Sequence, residues 1–219
     1  MQEGCAVRTP DLIDVLAADT RAVAPGGPPR WLAAAAVAGA AIALALVLTW
    51  LKLRPDLVKA MSGGFFWIKA SYTAALGLAG FCATERLARP GVSARAAILA
   101  ATVVLLAFEL VAIMQFAPMA GEARLVALQG VSWTVCTRNI IVLAAPMTLI
   151  CLFVLRQFAP TRPMIAGCSA GVFAGGVAAT VYGLHCPEAT FAFVGVWYTL
   201  GIVVSGLIGG LIGQFMLRW

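Results

Sequence analysis

Residues 31–51 read WLAAAAVAGAAIALALVLTWL, an unbroken apolar run bounded by Arg30 and Lys52. As a helix, this stretch rises roughly 31 Å, enough to cross the hydrocarbon core of a bilayer. Some thirty largely polar residues precede it. The run is also longer than the apolar core of a secretory signal, about 7–15 residues, so it is expected to be retained as a membrane span. Five further apolar runs follow: Phe66–Thr84, Ala96–Ala117, Asn139–Leu155, Met164–Leu184 and Phe191–Leu217. The expected fold is therefore all-α, a polytopic membrane helix bundle of six transmembrane helices occupying residues 31–219, with residues 1–30 outside it.

Composition agrees. Of 219 residues, 62% are hydrophobic and 11% charged, and the mean hydropathy is +0.97, which excludes a soluble globular enzyme. The formal charge of +6 comes from basic residues at the ends of apolar runs, not from a stripe with interleaved aromatics. The lipid bilayer is thus the expected partner, and direct nucleic-acid binding is not. A single His rules out a bis-His haem and any His pair holding a catalytic metal; no cofactor is expected.

Six spans put both termini on one side. Placing them in the cytoplasm leaves Arg8, Arg21, Arg30, Arg86, Arg89, Arg95, Arg156, Arg162 and Arg218 inside. Lys52, Arg54, Lys59, Lys69, Arg124 and Arg138 then lie outside. The cluster of Arg86, Arg89 and Arg95 in one short loop favours that orientation. Within the spans, Gly167, Gly171, Gly175, Ala179 and Gly183 recur every fourth residue, as do Gly201, Ser205, Gly209 and Gly213. Small-residue stripes let helix backbones approach closely. With only about six residues between the fifth and sixth spans, the expectation is a tight antiparallel pair.

Three features carry candidate chemistry. Gly167-Cys168-Ser169-Ala170-Gly171 spells the nucleophile elbow of hydrolases, but it sits in a helical glycine stripe at the opposite membrane end from His185, so no enzyme is expected. Glu109 lies inside the third span, where an unpaired charge is costly. Its sharper reading is an ion or proton path, the basis of a rival small transporter or channel. The reading we favour is a carboxylate that is protonated, or paired with the intramembrane charge of Lys69 or with Arg138. Cys82, Cys151 and Cys168 read as packing. Cys136 and Cys186 fall in the outer loops on either side of spans four and five, on the oxidising face. Three readings stand open for them: a disulfide staple, a redox-responsive thiol pair, or a soft-metal site with His185 and Glu188 adjacent.

Ahead of the spans, Thr9-Pro10-Asp11 has the make-up of a helix start, with Thr9 as cap and Pro10 at the first helical position. Leu12, Ile13, Val15 and Leu16 form an apolar patch beside Asp11, Asp14 and Asp19. Such a helix is too short to be stable alone, and Ala24-Pro25-Gly26-Gly27-Pro28-Pro29 follows as a flexible tether. Its acids disfavour docking on an anionic leaflet, so a basic cytoplasmic protein is the expected partner, ahead of the alternative that the helix rests on its own membrane domain.

Taken together, the chain resembles the NrsF-type negative regulators, six-span bacterial inner-membrane anti-sigma factors. The resemblance spans nearly the whole chain. It rests on Asp11-Leu12-Ile13-Asp14 with Leu16-Ala17-Ala18-Asp19, Leu53-Arg54-Pro55-Asp56-Leu57, Phe65-Phe66-Trp67-Ile68-Lys69 and Arg89-Pro90-Gly91. It continues through Trp133 with Cys136, Pro146, Leu184-His185-Cys186-Pro187-Glu188, Trp197-Tyr198 and Leu217-Arg218-Trp219. It implies that Asp11, Leu12, Ile13, Asp14, Leu16 and Asp19 hold an extracytoplasmic-function sigma factor at the membrane. It also implies that an envelope signal acts at Cys136 and Cys186, with an oxidant or a thiol-reactive metal as candidate inputs; His185 is a candidate metal ligand from its place beside Cys186 alone. It gives Cys5 no role.

Overall fold

A computed structural model describes residues 8–18 and 27–218 of the chain, apart from the side chains of Leu16, Gly27 and Pro28. The only regular secondary structure among those residues is helix, with no strand. Six helical segments are long and apolar enough to cross a membrane: Pro29–Leu51, Gly64–Leu87, Arg95–Phe116, Glu122–Arg156, Pro163–Tyr182 and Phe191–Met216. Five match the expected spans to within a few residues.

The exception is the fourth. An eight-residue helix α6 (Glu122–Gln129) turns at Gly130 into α7 (Trp133–Arg156), which begins six residues before the expected Asn139. Polar residues Thr134, Thr137 and Arg138 pull the hydropathy of that first stretch down, yet the helix continues through them. Cys136 therefore lies on the second turn of a span and not in a loop, which corrects the sequence placement.

Before the bundle, α1 (Thr9–Ala18) starts one position earlier than the Thr9 cap implied: the first helical bond runs from the Leu12 N–H to the Arg8 carbonyl, 3.1 Å. The first span, α2 (Gly27–Leu46), widens into a π-helical turn at Val47–Leu51 and stops at Lys52, whose φ of 70° is left-handed. A short helix α3 (Leu57–Ser62) leads into α4 (Gly64–Leu87), and α5 (Arg95–Phe116) forms the third span. The fifth is α8 (Pro163–Tyr182). The sixth opens with one helical turn, α9 (Phe191–Phe193), passes through a second π-helical turn at Val194–Tyr198, and continues as α10 (Thr199–Met216).

The centre of the bundle is α8. A Cβ on Gly175 would stand 3.0 Å from the Cα of Ile202, and one on Gly209 would stand 3.0 Å from the Cα of Gly171. Gly167 meets Gly213 in the same way. Residue numbers falling on one helix as they rise on the other make the pair antiparallel, as the two stripes predict. A second close approach was not foreseen: Gly80 abuts the Phe173 backbone, with a Cβ only 2.6 Å from its nitrogen, and Gly77 abuts Val177. Thus α8 uses opposite faces against α10 and α4, which explains why its glycines outnumber those of one stripe. The first span packs through Gly39 onto Met147 of α7. In contrast, α5 is the most peripheral span, 17% of its apolar window being buried against 61% for α8.

Candidate functional site: a buried dithiol under a hydrogen-bonded latch

One end of this bundle gathers polar groups from four segments. Cys136 comes from α7, Lys69 from α4, Arg54 from the loop after the first span, and Cys186 and Glu188 from the loop joining the fifth and sixth spans. Both thiols are free and fully buried, at 0% exposure. They are in contact, and that contact is the largest influence on each. The Cys186 thiol, in the loop, is held below its usual range: the hydrogen bond with Cys136 lowers it most, burial opposes, and the charge of Lys69 lowers it again.

Lys69 is 2% exposed. Its ammonium donates to the carbonyls of Cys186 and Glu188, each at 3.1 Å, and stands over the Tyr198 ring at 5.4 Å from the centroid. A charge so buried must be solvated by the protein, and two carbonyls with an aromatic face do this here. Glu109 does not: among the described residues Lys69 forms no ion pair. This corrects the expected pairing with Lys69 or Arg138. Glu109 instead accepts a hydrogen bond from Thr199 Oγ1 at 3.3 Å, and Thr199 in turn bonds Tyr72 Oη at 2.6 Å. Gly195, in the second π-helical turn, makes room, since a Cβ there would meet the carboxylate at 2.7 Å.

The carbonyl of Cys186 has a second donor, Arg54 Nη1 at 3.3 Å. Arg54 is fixed by a two-pronged bond to Asp56, both contacts at 2.7 Å. That bond holds Asp56 below the usual carboxylate range and pushes the Arg54 guanidinium up. Two further bonds tie the same loops: the Arg54 N–H to the Leu184 carbonyl at 3.2 Å, and His185 Nδ1 to the Lys52 carbonyl at 2.7 Å. Among the described residues, no three of His, Cys, Asp and Glu gather closely enough to hold a metal ion. A three-ligand centre of Cys136, Cys186 and His185 is therefore not assembled.

Over the thiols lies a latch. One carboxylate oxygen of Glu188 accepts from the Val131 N–H at 2.7 Å, and from the Ser132 N–H and hydroxyl at 3.1 Å each. The Ser132 hydroxyl also lies 3.7 Å from Cys186 Sγ. Gly130 is obligatory: its φ of 52° is left-handed, and a Cβ would strike the Glu188 carboxyl carbon at 2.5 Å. Beneath the latch, the hydroxyls of Tyr182 and Tyr198 and the amide oxygen of Asn139 are buried together, the Tyr182 hydroxyl beside Asn139 and Cys136 and the Tyr198 hydroxyl beside Cys186.

Of the sequence candidates, then, Cys136, Cys186 and Lys69 are brought together, while His185 serves the loop contact and Glu109 lies elsewhere. Arg54, Glu188, Tyr182, Tyr198 and Asn139 complete the site; of these only Glu188 had been singled out, as a ligand and not as a latch. On α1, Leu12, Ile13 and Val15 are exposed by 48%, 59% and 67%. Asp14 is exposed, and Asp11 faces Arg8 at 3.6 Å. Asp19, the Leu16 side chain and Cys5 fall outside what is described.

Comparison with known proteins gives a consistent result. The family described as "NrsF: Negative regulator of sigma F" matches residues 16–219. The "Anti-sigma-F factor NrsF" of Caulobacter vibrioides (strain NA1000 / CB15N) is 50% identical over 214 residues, covering 97% of this chain and 100% of the relative. The "Probable anti-sigma-F factor NrsF" of Azospira oryzae (strain ATCC BAA-33 / DSM 13638 / PS) is 37% identical over the same length and coverage. No solved structure matches the chain.

Proposed function

The chain belongs to the NrsF family of negative regulators of sigma F, and from that membership we propose that it is a membrane-bound anti-sigma factor of a bacterial inner membrane, with both termini in the cytoplasm. Residues 1–30 bind an extracytoplasmic-function sigma factor, and residues 31–219 form the sensor that releases it. It acts by sequestration, not catalysis. The apolar residues Leu12, Ile13 and Leu16 enter a groove on the sigma factor, and Asp11, Asp14 and Asp19 meet the basic surface it otherwise offers to promoter DNA or polymerase.

The observation that carries the sensing half is the free, buried thiol pair whose loop is bonded directly to the end of the first span. Forming a disulfide between Cys136 and Cys186, or binding one soft metal ion to both, repositions the 183–190 loop against α7. The Cys186 carbonyl is shared by Lys69 and Arg54, so that movement reaches Lys52–Asp56 and the π-helical end of the first span. The first span carries the tether. Modification shifts the equilibrium only to the extent that it favours one loop arrangement over the other.

The test is a pull-down of the full chain in mild detergent from its native cells, beside a Leu12→Asp, Ile13→Asp variant, with bound proteins identified by mass spectrometry. A sigma factor is expected with the native chain alone, and treatment with hydrogen peroxide or cadmium is expected to elute it. Recovery of no sigma factor with either chain would overturn the reading.

A further inference from the structure

The bundle carries a second polar site at the end away from the thiols. A cavity of about 350 Å³ lies between the loop joining α4 to α5 and the start of α8. Three guanidinium side chains line it, Arg89, Arg95 and Arg162, with the hydroxyl residues Ser93 and Thr161. Arg89 is paired with Glu85 at 2.5 Å, whereas Arg95 and Arg162 have no ion pair among the described residues. The first turns of α5 and α8 both begin at this cavity, and α8 starts with no side-chain cap. Two helix N-termini add partial positive charge and free N–H donors to the arginines.

A second cavity of about 300 Å³ continues from the first. The two share Ile98 and Ile165, and the second runs between α4, α5, α8 and α10 past Ala101, Leu105, Val172 and Val203. No charged residue lines it. A basic mouth at a helix-bundle end, opening into an uncharged slot that faces the bilayer, has the shape and charge of one class of ligand. We propose that this is a binding site for an anionic phospholipid, its phosphate held by Arg95 and Arg162 at the two helix starts and one acyl chain lying in the slot beside α5.

The peripheral packing of α5 leaves the slot open laterally, the route by which a lipid enters. The acidic α1 is the other occupant that charge alone would suit. The slot, lined by no charged residue, offers its acids no partner and leaves an acyl chain as the occupant its apolar walls suit. Basic pockets between spans on a cytoplasmic leaflet are established sites for lipid phosphates.

Delipidated full-length protein in a neutral detergent is titrated with dioleoyl phosphatidylglycerol, dioleoyl phosphatidylcholine or inorganic phosphate, and thermal stability is recorded. Phosphatidylglycerol is expected to raise Tm by several degrees at mole fractions where phosphatidylcholine does not. The double variant Arg95→Gln, Arg162→Gln is expected to need about thirtyfold more of it. Ala101→Trp, which fills the slot and leaves the arginines, is expected to respond to dihexanoyl but not to dioleoyl phosphatidylglycerol. The proposal is overturned if phosphatidylcholine acts equally, if inorganic phosphate alone reproduces the shift, or if Ala101→Trp responds to the dioleoyl lipid like the native chain. It is also overturned if phosphatidylglycerol binds only after Asp11→Asn, Asp14→Asn and Asp19→Asn together, which would make α1 the occupant.

Discussion

Replacing Glu188 with alanine tests whether the latch governs access to the thiols. One oxygen of this carboxylate takes three hydrogen bonds from Val131 and Ser132 at 2.7–3.1 Å. Hydrogen bonds to a charged acceptor contribute about 1.5–3 kcal/mol each when fully buried. Glu188 is half-buried, and the freed donors of Val131 and Ser132 regain water, so the net loss for the set is about 1–2 kcal/mol. Cys136 and Cys186 are closed off in the folded chain, so a reagent reaches them only from a locally opened state. A loss of 1–2 kcal/mol raises the population of that state about five- to thirtyfold. The assay is the rate at which N-ethylmaleimide labels the Cys186 peptide in detergent at fixed pH, followed by mass spectrometry. Glu188→Gln, which keeps one acceptor oxygen without the charge, should fall between the native chain and the alanine variant. Glu122→Gln, on α6 outside the latch, should not move the rate. If Glu188→Ala labels within twofold of the native chain, the latch reasoning is wrong.

Leu12→Asp is expected to release the sigma factor without any signal, read as constitutive transcription of its target genes with unchanged amounts of the membrane domain. Cys136→Ser with Cys186→Ser should flatten the dose response to oxidant or cadmium while sigma-factor recovery stays at the native level; an unaltered dose response would return the thiols to packing. Gly171→Ala places a methyl group 2.8 Å from backbone atoms of Ser205 and Gly206, so α8 and α10 must separate. The expected cost is about 1–3 kcal/mol, seen as a fall of several degrees in Tm, whereas Gly64→Ala, with nothing within 4 Å, should be neutral. Because Asp56 is held below the usual carboxylate range, its grip on Arg54 is complete above that range and is lost as pH falls through the lowered value. In a Glu188→Gln background, where the latch holds no carboxylate to protonate, labelling of Cys186 should therefore quicken on strong acidification, after correction for the thiolate fraction, and Asp56→Asn should remove that quickening.

Hydropathy alone gave the number of spans, because an apolar run long enough to cross lipid has few other uses, and the two small-residue stripes gave the α8–α10 pair. Less local features were not legible. Sequence spacing shows that Gly167, Gly171 and Gly175 share a face, but Gly176, which faces Gly77 of α4, falls outside the repeat and looks like ordinary glycine richness. Hydropathy began the fourth span at Asn139 because Thr134, Thr137 and Arg138 are polar, although the helix runs through them from Trp133. That error moved Cys136 into a loop. Lys69 stood among the candidate partners of Glu109, beside Arg138 and a protonated carboxyl, since opposite charges in adjacent spans suggest a pair. In the folded chain its partners are carbonyls 117 and 119 residues away, and backbone acceptors carry no signature in the sequence.

If the thiols receive the signal as proposed, their burial changes what sensing requires. Cysteines in exposed loops would react at a rate set by their own chemistry. Here Cys136 and Cys186 are closed in with a buried ammonium and the hydroxyls of Tyr182 and Tyr198, so the closed site carries the cost of burying several polar groups together. The Glu188 latch and the Lys69 and Arg54 contacts to the Cys186 carbonyl oppose that cost. A site balanced in this way opens more readily than its apolar surroundings, and the same bonds that close it fix the 183–190 loop to the end of the first span. On the proposed mechanism, reagent access and release of the first span are then one event. The stability of the latch, more than thiol reactivity, would set the dose at which such a regulator responds, so variants that loosen it should respond to lower doses without any change at the cysteines themselves.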